Sequence, residues 1–123
     1  MVTKEITLCG KQVTLAYCYA TEIGYKILEG EEVSEFFKHV AQSFKDAKDP
    51  DTQKTLHAIQ AFMLAFYEKP KYLPLTDRDM MRDLMPSEFA EAIMTMGQLR
   101  EEFYFIPKDE PKEKQDGGNE KNA

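Results

Sequence analysis

The chain has 123 residues, of which 42% are hydrophobic, and a net charge of −6. That is enough apolar material for one domain with one core. An acidic surface without clustered Lys and Arg argues against binding a nucleic-acid backbone or an anionic membrane surface. No apolar run approaches the ~20 residues of a membrane span.

The segment Met1-Val2-Thr3-Lys4-Glu5 lacks the apolar core of a signal peptide. The expected location is therefore the cytoplasm, where Cys9 and Cys18 would be free thiols.

Glu5 to Tyr17 reads as a β-hairpin. Ile6 and Leu8 alternate with polar residues, and Val13, Leu15 and Tyr17 do the same. With Gly10-Lys11 as the turn, Leu8 pairs with Val13 and Ile6 with Leu15, so both apolar sets share one face. Cys18 then falls opposite Thr3, away from Cys9, which argues against an internal disulfide. A lone hairpin is marginal in water and has to lie on helices.

A short helix is expected from Thr21 to Glu29, capped by Thr21 and stopped by Gly30, with Ile23, Ile27 and Leu28 facing inward. Gly24 either weakens this helix or lets another backbone come close. Ser34 can cap a second helix over Glu35 to Lys45, striped by Phe36, Phe37, Val40, Ala41 and Phe44. After the connector 46–50 comes the longest, most apolar and most cleanly bounded segment, Asp51 to Tyr67. Leu56, Ile59, Phe62, Met63, Phe66 and Tyr67 recur there at helical spacing. Asp51 can cap it, and Pro70 ends it. It is the expected central helix.

Lys69 to Leu75, with Pro70 and Pro74, reads as an extended crossing segment. Thr76 with Asp79 forms a capping-box variant opening a short helix through Leu84. Pro86 suits a helical first turn, and a last helix runs from Ser87 to about Tyr104 with Phe89, Ala92, Ile93, Met96, Leu99 and Phe103 as its stripe. From Pro107 onward the residues are mostly Pro, Lys, Asp, Glu, Gly and Asn, the composition of a disordered tail. The predicted fold is α+β, mostly α: an N-terminal hairpin packed on a bundle of about five helices over 1–106, then a charged tail over 107–123.

Catalytic or metal chemistry finds little support. His39 and His57 each sit inside a helix, without the local Cys or His pairs of a zinc site. Cys18 and His57 would form a nucleophile pair only if the fold brought them together. Asp77 with Asp79, and Asp49 with Asp51, lack the glycine and distant glutamate of a calcium loop, and capping explains them better. Glu29, Glu31, Glu32 and Glu35 read as a solvated helix end. Gly10-Lys11 is a turn, not part of a phosphate loop. No catalytic residue, metal site or cofactor is expected.

An interaction surface is the remaining candidate. Met80, Met81, Met85, Met94 and Met96 gather in the last third, beside Phe103, Tyr104, Phe105 and Ile106. Methionine suits adaptable apolar contacts with a flexible chain, although most of these residues should be core. The candidate partner-binding residues are Met80, Met81, Met94, Tyr104, Phe105 and Ile106. Consecutive apolar residues at 104–106 cannot all face one side of a helix.

Residues 5–36, EITLCGKQVTLAYCYATEIGYKILEGEEVSEF, resemble the start of the tail assembly chaperones of long-tailed phages. There a hairpin with a Gly-Lys turn leads into a short helix ending near a glycine. Residues 75–93, LTDRDMMRDLMPSEFAEAI, are similar to the closing helices of that family, and the likeness extends over most of residues 4–103. The resemblance implies a non-enzymatic role: coating the hydrophobic helices of the tape-measure protein while tail tube subunits assemble around it. Its implied partners are that protein or a tail tube subunit, with self-association. An unrelated small adaptor, binding one partner through the Met-rich end, is the other reading.

Overall fold

The computed structural model describes residues 1–105. Its architecture is α+β and mostly α: a two-stranded antiparallel hairpin followed by five α-helices. Strands β1 (Val2–Leu8) and β2 (Lys11–Tyr17) pair with Leu8 opposite Lys11 and Ile6 opposite Val13. The register is two residues tighter than the sequence predicts. The turn residues are Cys9 and Gly10, both at positive φ (54° and 74°), which makes a two-residue turn whose twist matches that of the strands. An even shift preserves the faces, so Ile6, Leu8, Val13 and Leu15 are still buried together. Thr3 pairs with Ala16 rather than Cys18, and both thiols are free.

Helix α1 (Tyr19–Glu29) begins earlier than expected. Cys18 is its N-cap, and Thr21 lies in the first turn, where its hydroxyl accepts the Cys18 N–H at 3.1 Å and donates to the Ala16 carbonyl at 2.9 Å. Gly30, at φ 80°, ends the helix as predicted. The inward face is a correction. Thr21 and Tyr25 are buried and Leu28 is partly so, whereas Ile23 and Ile27 point outward, Ile27 at 78% exposure. The contact is decided by small residues. A Cβ on Gly24 would lie 3.6 Å from the Ala61 Cβ, so α1 crosses the central helix on its Gly24 side and the two isoleucines turn away.

Helix α2 (Val33–Lys45) starts after Glu32, placing Ser34 inside its first turn rather than at the cap. Val33, Phe36 and Val40 are buried and Phe37 is half-buried, but Ala41 and Phe44 are exposed. The helix closes with Ala47 at φ 54°, Lys48 N–H bonding to Ser43 O (2.8 Å) and Ala47 N–H to Phe44 O (3.2 Å). That is the left-handed closing turn in which glycine is usual.

Helix α3 (Thr52–Tyr67) is the centre of the molecule. Asp51 Oδ1 accepts the Lys54 N–H at 2.9 Å, and Leu56, Ile59, Phe62 and Met63 are buried with Ala58 and Ala61. The hairpin, α1, α2, α4 and α5 all pack on it. Its ends of stripe behave differently: Phe66 is partly exposed, while the Tyr67 hydroxyl accepts the Thr14 N–H of β2 at 3.0 Å.

A 3₁₀ turn at Pro70–Tyr72 makes the crossing, and α4 (Asp77–Asp83) opens with the predicted box: Asp79 N–H to Thr76 Oγ1 at 3.1 Å and Thr76 N–H to Asp79 Oδ2 at 2.9 Å. Helix α5 (Pro86–Phe105) buries Ala92, Ile93, Met96 and Leu99, with Phe89 and Phe103 packed at their edges. Ile106 and the segment 107–123 lie outside the described residues.

Candidate functional site

Both histidines are engaged with neighbouring groups. His39 Nε2 accepts the Asp51 N–H at 2.8 Å, and His57 Nδ1 lies 2.6 Å from Glu29 Oε2. Cys18 caps the start of α1 whereas Glu29 ends it, eleven residues on, so His57 and Cys18 sit at opposite ends of a helix about 16 Å long. The fold does not bring that pair together. Among the described residues no group of three or more His, Cys, Asp or Glu side chains is placed to hold a metal ion. No helix among them is long and apolar enough to cross a membrane.

The acidic cluster divides: Glu32 and Glu35 are at the solvated end, whereas Glu29 and Glu31 are partly buried and paired. Lys54 Nζ bridges Glu31 (3.0 Å) and Glu29 (3.6 Å), and the Tyr25 hydroxyl donates to Glu31 at 2.6 Å. Burial, then the bond to Glu31, raises the Tyr25 phenol well above its ordinary range. Glu32 pairs with Lys26 and Glu35 with Lys38. The Lys54 and His57 contacts fasten the α1–α2 connection to α3, whereas the Glu32 and Glu35 pairs are exposed and do not reach it.

The apolar candidates divide. Met80 is corrected: at 2% exposure it belongs to the core, on the inner face of α4, and offers no surface. Its neighbour Met81 is exposed and lines a shallow pocket with Leu56, His57 and Asp77. Tyr104 and Phe105 are exposed at the end of α5, with Tyr104 fastened to α1 by a hydroxyl bond to Glu22, which also receives the Tyr17 hydroxyl at 2.6 Å. Ile106 falls outside the described residues.

Met94 lies in an apolar concavity. Helices α2 and α5 run antiparallel, meeting where the Phe37 ring passes 3.9 Å from the point a Gly97 Cβ would occupy. From that contact they part toward the α2 C-terminus and the α5 N-terminus. The gap is a groove of about 470 Å³ lined by Phe44, Pro50, Leu84, Met85, Phe89 and Met94, among others. Phe44, Ile93 and Met94 continue it toward Phe37 and Glu101. Phe44 is 62% exposed and Met94 63% exposed, a large solvent-facing fraction for such apolar side chains. Sequence reasoning assigned Phe44 to the core and gave Met85 no separate role. The groove joins residues some 50 positions apart, and no local pattern announces it.

No family model, no curated protein and no solved structure matches this chain.

Proposed function

We propose that this protein is a non-enzymatic tail assembly chaperone of long-tailed phages or prophages. In this reading it acts in the cytoplasm, holding apolar helices of the tape-measure protein while tube subunits assemble. The observation that carries the reading is the exposed groove between α2 and α5, with Phe44, Met85 and Met94 on its walls. Full burial of one such side chain is worth about 1.5–3 kcal/mol. Three of them in one apolar groove suit the apolar face of an amphipathic segment, and methionine adapts to many sequences. The likeness of residues 5–36 and 75–93 to that family supplies the identity of the cargo.

Co-expression with the tape-measure protein tests this. The expected result is a soluble complex and less aggregated tape-measure protein. Unchanged solubility with no complex overturns the proposal.

The exposure of Met81, in a pocket beside His57, favours a second reading: a small adaptor that binds one folded partner through its methionines. Gene neighbourhood separates the two, since only the chaperone belongs between tail genes.

A further inference from the structure

We infer that the α2–α5 groove selects amphipathic helices flanked by Lys or Arg. This inference rests on the helix-binding reading above and names the chemistry of the bound segment. Among the described residues, the charged side chains lining the groove are Asp49, in the part beside Met85, and Glu101, in the part beside Phe37, with no Lys or Arg. Arg100 stacks its guanidinium 5.2 Å from the Phe37 ring and 5.8 Å from that of Tyr104. Both rim carboxylates are exposed among the described residues, where a partner's cations can reach them.

The geometry limits the occupant. From Met85 to Gly97 the groove follows twelve residues of α5, about 18 Å or three helical turns. A bound helix of that length places one flank near Asp49 and the other near Glu101. Its apolar face meets Phe44 and Met94 between them. Acidic flanks would meet like charge at both ends and in the field of a chain whose net charge is −6.

Two synthetic helices with one shared apolar face, one flanked by lysines and the other by glutamates, test the inference by fluorescence anisotropy with the full chain. At about 0.1 M salt the basic helix should bind about tenfold tighter. That preference should shrink at about 1 M salt, where screening shortens to about 3 Å. In the double variant Asp49→Lys, Glu101→Lys it should reverse, and Phe44→Ser with Met94→Ser should weaken both helices. These four positions are exposed, so the variants should fold. Equal affinities, or preference for the acidic helix, overturn the inference and leave the helix-binding reading standing. Binding of neither helix, or binding unaffected by Phe44→Ser with Met94→Ser, overturns both.

Discussion

The Glu88 carboxylate accepts the backbone N–H of Cys9 at 3.0 Å, across 79 positions of sequence. The same side chain takes the Met85 N–H at 3.0 Å and the Gly10 N–H at 3.4 Å. It therefore caps α5 and latches the hairpin turn at once. Those amides, Met85 first and then Cys9 and Gly10, hold its carboxyl below the usual range. The Cys9 thiol beside it is pushed up, by burial and then by the Glu88 charge.

Glu88→Ala should destabilise the fold by about 1–3 kcal/mol, as expected when several amides lose one charged acceptor. The contribution depends on pH. The folded chain holds the Glu88 proton less tightly than the unfolded chain does, so stability is complete above the ordinary carboxylate value of about 4.3. It is lost as the pH falls through the lower folded value. Urea midpoints followed from about pH 7 to about pH 3 should show a shallower acid decline for Glu88→Gln than for the parent.

Gly24 decides how α1 meets α3. A methyl there would stand 3.6 Å from the Ala61 Cβ, an ordinary contact, and the backbone is helical. Gly24→Ala should therefore stabilise the protein by about 0.5–1 kcal/mol through the helix. Gly24→Leu has no room at the crossing and should cost about 1–3 kcal/mol. Equilibrium denaturation of the two variants checks both signs. A loss in Gly24→Ala would mean the helices lie closer than the structure places them.

Ala47 occupies the left-handed closing turn of α2 at φ 54°. Its methyl is a penalty that glycine would not carry, so Ala47→Gly should raise stability by up to about 1 kcal/mol. Calorimetry should register the gain as a rise in Tm of a few degrees, at about 4–8 °C per kcal/mol for a domain near this size. Ala→Gly at Ala58, inside α3 and buried, should lower Tm instead.

Element order was legible because each segment repeats its apolar residues at a period belonging to one kind of structure. Asp51, Thr76 with Asp79, Gly30 and Pro86 marked ends that the backbone uses. Four features were hidden, each for its own reason. The hairpin register turns on Cys9 at positive φ, a residue without the turn preference of Asn or Asp. The inner face of α1 is set by Gly24 and Ala61, whereas hydrophobic periodicity weighs only the large residues Ile23 and Ile27. Met80 and Met81 are equivalent by composition, yet they stand about 100° apart on α4, and one turns to the core while the other turns to solvent. The groove was the least legible. It exists because α2 and α5 part beyond Phe37 and Gly97, a relationship no local sequence pattern contains.

The latch also orders events during synthesis. The ribbon made first finds its anchors among residues made late: Tyr67 for Thr14, Glu88 for the turn and Gln98 for Lys4. With translation adding about 5–20 residues per second, the interval between completing Tyr17 and completing Glu88 is on the order of 4–14 s. Within that interval α3 is completed and can cover part of the ribbon's apolar side, whereas β1 has its α5 contacts only once the last helix is made.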